Sequence, residues 1–165
     1  MKRALLIATV SGFVPQFEMN HVLILQNMGY EVHYASNFYN PHYGFDNQRL
    51  EGTGIICHQV DFVRSPFRIK ENIRAYQQLK KIMEAISFQI VHCHTPMGGV
   101  LGRLAARKFR RKQNGEERQK MKIVYTVHGF HFYRGAPIRN WLSYYVDDGY
   151  SGTIYDRPAF RQLIE

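Results

Sequence analysis

Residues 123–133 read IVYTVHGFHFY, and this stretch is the strongest indication of the fold class. An apolar run rich in β-branched residues ends abruptly in two histidines, a glycine and three aromatic residues. The pattern predicts a buried strand that runs into a polar, aromatic loop. In an open parallel sheet such a loop lies outside the carboxyl end of its strand, where α/β folds bind ligands. We therefore expect the chemistry of this chain near His128.

Apolar runs alternate with amphipathic runs along the rest of the chain. The pattern predicts strands over residues 3–10, 31–36, 54–60, 89–93 and 121–127, and helices over residues 15–28, 70–86 and 98–111. Such alternation is typical of parallel strands joined by right-handed helical crossovers. The sequence therefore predicts an α/β fold with a doubly wound, mostly parallel sheet and helices on both faces. Gly29 is the expected C-terminal cap of the first helix, and residues 38–52 are expected to form a surface loop.

Length and composition favour one domain with a substantial core, because the chain has 165 residues of which 45% are hydrophobic. Cys57 and Cys93 both lie in apolar, strand-like runs, which suggests buried, reduced thiols and favours a cytosolic protein. The basic and apolar N-terminus reads as a first strand, without a signal-peptide cleavage site. No apolar run approaches the roughly 20 residues of a membrane-spanning helix, so any membrane contact is expected to be peripheral.

The formal net charge of +9 is unevenly distributed. Residues 103–122 hold nine Lys or Arg against two Glu, while the rest of the chain is nearly balanced. A basic surface segment attracts nucleic acid and anionic lipid through the same phosphate electrostatics. Charge alone does not choose between these partners, and a solvated helix end explains the segment equally well.

A glycine turn follows the first predicted strand, where Thr9-Val10-Ser11-Gly12-Phe13 leads into a helix. Backbone amides and the positive end of a helix dipole would face a ligand there, although the glycine could also serve only the turn. The single glycine does not form the G-x-G-x-x-G fingerprint, so a nicotinamide or flavin cofactor is not supported.

Histidines lie at or after the ends of two consecutive predicted strands. Strand alternation puts His92 and His94 on the same face, and together with His128 and His131 they raise the possibility of zinc. No Glu-x-x-His or paired-cysteine pattern accompanies them, so we expect no metal. After His94, Thr95-Pro96 and the glycines Gly98 and Gly99 would either let a ligand approach the backbone or simply begin a capped helix.

Arg64 follows the third predicted strand at the same expected edge of the sheet. Its guanidinium could bind a phosphate or a carboxylate. It could equally pair with Asp61 or cap a helix, and the sequence leaves these readings open.

Four segments together carry a family resemblance: residues 9–13, 61–66 with Asn72 and Ala75, 90–96 and 125–137. They resemble family 4 glycosyltransferases of the GT-B architecture, of the bacterial capsule and exopolysaccharide type, and the block YTVHGFHFYRGAP is the most specific. The resemblance covers about residues 1–144. It implies the N-terminal, acceptor-binding, Rossmann-like domain, which is one half of a GT-B fold.

In that family a C-terminal domain binds the nucleotide-sugar donor across a cleft, and its E-x₇-E motif has no counterpart here. We therefore expect a fragment that is incomplete at its C-terminal end, inactive alone and without a cofactor of its own. The alternative is a non-catalytic, acceptor-binding subunit of a split glycosyltransferase, which would dock on a separate donor-domain subunit.

The resemblance also implies roles for individual residues. His128 would be the cleft histidine that positions the reacting sugar. The acceptor and donor cleft would include Ser11, Gly12, Phe13, Arg64, His94, Thr95, Gly129, His131, Tyr133 and Arg134.

A lipid-linked sugar acceptor at the inner face of the membrane is a further implication of the resemblance, with the chain cytoplasmic and peripherally attached. The basic patch that would face an anionic membrane consists of Arg107, Lys108, Arg110, Arg111 and Lys112. Specific nucleic-acid binding is not expected, because the patch has neither interleaved stacking aromatics nor a recognition-helix motif.

Residues 146–165, VDDGYSGTIYDRPAFRQLIE, depart from the glycosyltransferase pattern and resemble an internal segment of serine site-specific recombinases. Arg157 matches an active-site arginine of that family. The nucleophilic serine motif that should precede the segment is absent, so recombinase activity is not expected. The sequence thus predicts a glycosyltransferase domain over residues 1–145 and a foreign tail over residues 146–165, with a chance turn followed by a short helix as the alternative reading of the tail.

Overall fold

The computed structural model describes residues 1–39, 47–112 and 121–128. The chain forms two compact units, Met1–Thr126 and Val127–Glu165. Of the second unit, Val127 and His128 are the residues described. All helices and strands of the described residues belong to the first unit.

The first unit is built on a five-stranded parallel sheet with the strand order β3-β2-β1-β4-β5. The strands are β1 (Lys2–Ile7), β2 (Tyr30–Ser36), β3 (Ile56–Gln59), β4 (Ile90–Cys93) and β5 (Lys122–Tyr125). The helices are α1 (Phe13–Phe17), α2 (Met19–Asn27), α3 (Ile69–Ala85) and α4 (Pro96–Lys112), with a short 3₁₀ helix at Asn47–Leu50. This arrangement confirms the predicted α/β, Rossmann-like fold.

Both faces of the sheet are covered, which explains why its strands read as nearly continuous apolar runs. Leu5 and Ile7 of β1 belong to a buried cluster with residues of α3 and α4. Leu6 and Val32 belong to a second cluster with residues of α1 and α2. Successive side chains of β1 therefore point into two separate parts of the core, one on each face of the sheet. This is the arrangement predicted for a sheet with helices on both faces.

The predicted helix over residues 15–28 is in fact two helices. The break falls at Glu18, where φ is −120°, and the side chain of Glu18 is buried. The end of α2 is as expected, because Gly29 has φ +78°, a conformation that favours glycine. The other predicted helices agree with α3 and α4 to within two residues at each end.

Glycines at the start of α4 let this helix lie against the sheet. A Cβ on Gly102 would stand 2.7 Å from Cys93 Sγ, and a Cβ on Gly99 would clash with the ring of Tyr125. A Cβ on Gly98 would stand 2.8 Å from Thr95 Oγ1. The small residues after Pro96 thus serve helix packing in this structure.

The prediction of two buried thiols is wrong for one of them. Cys93 is buried in β4, whereas Cys57 is exposed. The physical reason is that β3 is an edge strand and its first two residues, including Cys57, lie on the surface. In the described ranges no helix is both long and apolar enough to cross a membrane.

Candidate functional site

The loops that follow β1 and β4 meet at the carboxyl edge of the sheet. These two strands are neighbours, and the strand order reverses between them. The backbone N–H of His94 donates a hydrogen bond to the carbonyl of Ile7, with an N···O distance of 2.7 Å. Ligands of open α/β sheets bind at such a reversal point. We therefore take this edge as the candidate functional site.

Two threonines tie the loops together. Thr95 Oγ1 lies 2.7 Å from Thr9 Oγ1 and accepts a hydrogen bond from the backbone N–H of Thr9 at 3.0 Å. Thr95 has φ 60°, which is rare for a β-branched residue and costs free energy. Its hydroxyl bonds offset that cost and hold the start of α4 against the end of β1.

Buried polar groups lie beside this pair. His94 and Glu18 are 0% and 1% exposed, and His94 Nδ1 lies 3.6 Å from Glu18 Oε1. The other carboxylate oxygen of Glu18 lies 2.5 Å from Nδ1 of His21, a side chain that is 56% exposed. Burial raises the pKa of Glu18, and the hydrogen bond to His21 opposes that shift. The carboxyl group thus links a buried imidazole to an exposed one.

His92 lies on the same face of the sheet as His94, as the strand alternation predicted. Its ring centroid lies 4.0 Å from that of His94. Its Nε2 lies 2.7 Å from Thr126 Oγ1, just past the end of β5. Desolvation by burial, with a smaller contribution from the charge of His21, lowers the pKa of His92 to about 4. His92 is therefore a neutral hydrogen-bonding group at physiological pH.

The loop after β1 is a packed segment. Ser11 is fully buried, and its hydroxyl donates to Asn47 Oδ1 at 2.6 Å. Phe13 is buried too, and its ring centroid lies 5.4 Å from that of His94. Gly12 caps a helix of five residues. The structure thus brings Ser11, Gly12 and Phe13 to the same edge as His94 and Thr95, while their contacts with substrate stay a prediction.

Arg64 is half-buried on the segment that follows β3. The carboxylate of Asp61 accepts hydrogen bonds from Gln59 and Gln78, and it lies 3.9 Å from Arg74 Nη1. Asn72 of α3 donates to the carbonyl of Ser65 and so fixes the end of this segment. Substrate binding by Arg64 remains a prediction.

The remaining predicted residues lie elsewhere in the chain. His128 is half-buried and belongs to the second unit. Arg107, Lys108 and Arg111 are exposed on α4, Arg110 is half-buried, and Lys112 ends the helix. The predicted residues outside the described ranges are Gly129, His131, Tyr133, Arg134 and Arg157.

Sequence reasoning missed Glu18 and His21 in the cluster. A signal was available, because Val14, Glu18 and Val22 recur at a spacing of four and therefore share one helical face. An acidic residue on an apolar stripe indicates a specific polar partner. The side chains of Glu18 and His94 carry donor atoms of the kind that bind a cation, and the expectation of no metal remains a prediction.

Comparisons with known proteins identify the family. The sequence model of the family described as "Glycosyl transferase 4-like" matches residues 3–153. The chain belongs to this family. This assignment confirms the family predicted from the sequence, whereas the recombinase-like tail and the exopolysaccharide type remain predictions.

A curated relative in Bacillus subtilis (strain 168), named "Putative glycosyltransferase EpsD", is 40% identical over 144 residues. The match covers 87% of this chain and 33% of the relative, so the chain spans about a third of that protein's length.

Two solved structures are similar in fold. MurG from Acinetobacter baumannii superposes with a TM-score of 0.54 at 18% identity, covering 79% of this chain and 37% of the other. A "putative UDP-N-acetylglucosamine 2-epimerase" from Listeria monocytogenes gives a TM-score of 0.50 at 14% identity, covering 76% and 31%. At these identities the similarity shows the fold alone.

Proposed function

We propose that the unit Met1–Thr126 is the acceptor-binding half of a nucleotide-sugar-dependent glycosyltransferase, for bacterial exopolysaccharide, capsule or a related glycan. The family match over residues 3–153 is the observation that carries the proposal. The buried polar cluster at the carboxyl edge between β1 and β4 supports it, because that is where a sugar would meet hydrogen-bonding groups.

The chemistry of the cluster suits a carbohydrate. Sugar transfer forms a bond between an acceptor oxygen and the anomeric carbon and breaks the bond from that carbon to the phosphate oxygen. The nucleoside diphosphate leaves, and it takes up the proton that the acceptor hydroxyl loses. The protein must orient the acceptor hydroxyl. The ring nitrogens of histidine can donate or accept hydrogen bonds, as sugar hydroxyls require. In this proposal His94 orients the acceptor, Thr95 holds the loop that carries His94, and His128 keeps the sugar-positioning role implied by the family resemblance.

The donor-binding half corresponds, in this proposal, to the part of the Bacillus relative that this chain does not cover. The chain by itself would then bind an acceptor without turnover. A separate donor-domain subunit is the alternative arrangement. The acceptor would be a lipid-linked sugar at the inner face of the membrane, which is consistent with six Lys or Arg and no acidic residue in α4.

A chimera tests the proposal. The chain is fused at residue 144 to the uncovered two-thirds of the Bacillus relative, and transfer of radiolabelled sugar to lipid-linked acceptors is measured with a panel of nucleotide-sugars. The chimera should turn over, the unfused chain should not, and His94→Ala should lower kcat/KM by about 100-fold. Ile24→Ser, on the exposed side of α2, is the matched control and should change nothing.

Three outcomes would contradict the proposal in different ways. Turnover by the unfused chain would show that no donor-binding half is needed. A folded chimera that is inactive beside an active Bacillus parent would remove the assignment as an acceptor-binding half. Equal activity of the His94→Ala and Ile24→Ser variants would remove the role of the edge between β1 and β4.

A further inference from the structure

Asn72, in the first turn of α3, carries a buried side-chain amide. The residue is 8% exposed. Its Nδ2 donates hydrogen bonds to the carbonyl of Ser65 at 3.0 Å and to the carbonyl of Pro66 at 3.3 Å. These bonds fix the orientation of the amide, because the opposite orientation would place Oδ1 against two carbonyl oxygens. The Oδ1 atom therefore points away from both carbonyls.

The oxygen of this amide is an unused hydrogen-bond acceptor. Oδ1 of Asn72 is buried and has no hydrogen-bond partner in the part of the chain that the structure describes. A buried acceptor of this kind has lost its bonds to water and gained none in return, so it weakens the folded state. The cost is explained if a ligand supplies the missing donor.

Asn72 lines a groove of about 790 Å³ between α3 and α4. The groove is apolar around it, because Pro66, Ile73 and Met97 line the same wall. Met97 lies two residues past Thr95, so this end of the groove begins beside the candidate functional site. The buried amide thus lies in a mostly apolar wall close to the edge between β1 and β4.

A neutral oxygen in an apolar wall selects for one kind of chemical group. It accepts a hydrogen bond from a hydroxyl or from an amide N–H, and sugars carry both groups. It does not bind phosphate or carboxylate oxygens, which are themselves acceptors. The first cation of α4 that lines the groove, Arg107, lies ten residues beyond Met97, which corresponds to about 15 Å along the helix. Asn72 is therefore suited to a neutral part of a ligand.

We propose that Asn72 is a specificity-determining residue for the acceptor sugar. Its Oδ1 accepts a hydrogen bond from one hydroxyl or amide N–H of that sugar, and carbon-bound hydrogens of the sugar ring pack against Ile73 and Met97. The inference deepens the proposed function, on which it rests, because it names the group of the acceptor that the groove recognises. A sugar that lacks this group leaves the buried oxygen unpaired, so the site discriminates against it.

Binding of glycosides to the full chain tests the proposal without any sugar transfer. The probes are p-nitrophenyl glycosides of hexoses and N-acetylhexosamines, and NMR follows the side-chain amide signal of Asn72. For the glycoside that binds most tightly, monodeoxy analogues remove one hydroxyl each. For an N-acetylhexosamine, the 2-O-acetyl analogue removes the amide N–H. One of these analogues should bind about tenfold more weakly than the parent and should no longer shift the Asn72 signal.

Two matched variants separate recognition of the sugar from support of the segment before α3. Asn72→Leu removes the oxygen together with the bonds to Ser65 and Pro66. Gln78→Leu makes the same type of change on the same helix, outside the groove wall, where the amide of Gln78 holds the backbone N–H and the carboxylate of Asp61. Asn72→Leu should bind the parent glycoside and its weaker analogue equally, whereas Gln78→Leu should keep the preference of the wild type.

The proposal is overturned if Asn72→Leu keeps the preference of the wild type, because an equal loss for parent and analogue means that Asn72 only holds the segment. Loss of the preference in Gln78→Leu would overturn it as well. So would the absence of any glycoside that shifts the Asn72 signal of the wild-type chain, a result that depends on no variant. The chimera reports on the proposed function separately: an active chimera beside a silent Asn72 would remove only the role of Asn72.

Discussion

Acid should destabilise the first unit through His92. In the folded protein burial holds the pKa of this imidazole at about 4, against 6.5 for an unperturbed histidine. The unfolded chain therefore binds a proton on His92 at a higher pH than the folded chain does. The stabilisation from the neutral ring is complete above pH 6.5 and is lost as the pH falls from there toward 4.

The size of the effect follows from the two pKa values. At pH 5 the unfolded His92 is almost fully protonated and the folded one is almost fully neutral. The linkage relation then gives a loss of about 2 kcal/mol in the free energy of unfolding between pH 7.5 and pH 5. At lower pH the loss approaches its limit of about 3.4 kcal/mol. Burial of His58 acts in the same direction and the raised pKa of Glu18 in the opposite one, so the His92 contribution must be isolated by mutation.

Urea unfolding of the wild type and of His92→Gln at pH 7.5 and pH 5 measures the contribution of His92 to stability. Glutamine retains a hydrogen-bonding group near Thr126 but does not titrate. The wild type should lose about 2 kcal/mol more than the variant on acidification, which is a shift of about 1 M in the urea midpoint. An equal pH dependence for the two proteins would show that His92 is not desolvated as the structure indicates.

Three further predictions concern the stability and packing of the first unit. Tyr34→Phe should lower the free energy of unfolding by about 1–2 kcal/mol in urea titrations, because the buried hydroxyl donates to the carbonyls of Val10 and Ser11; an unchanged midpoint would contradict this. Gly29→Ala should cost about 1 kcal/mol in thermal unfolding, because φ is +78° while the space is open, so a stabilised variant would refute the backbone argument. With a thiol reagent at pH 8, Cys57 should react in the native protein and Cys93 only in denaturant, since burial raises the pKa of Cys93 to about 12; two fast native thiols would contradict the burial of β4.

The order of elements could be predicted from the sequence because it depends on hydrophobic periodicity. The apolar runs at residues 3–10 and 89–93 contain β1 and β4, and Gly29 follows the end of α2 as expected. The exposure of Cys57 could not be predicted in this way. Both edge and central strands are apolar in local sequence, and only the strand order shows that β3 lies at an edge.

The site was predictable only where its residues follow strands. His94 and Thr95 come directly after β4, so the topology carries them to the carboxyl edge. Glu18 lies on another segment, at the break between α1 and α2. No glycine or internal turn signal in the sequence marks this break. The pairing of Thr9 with Thr95 joins residues 86 positions apart, and local patterns contain no information about such a contact.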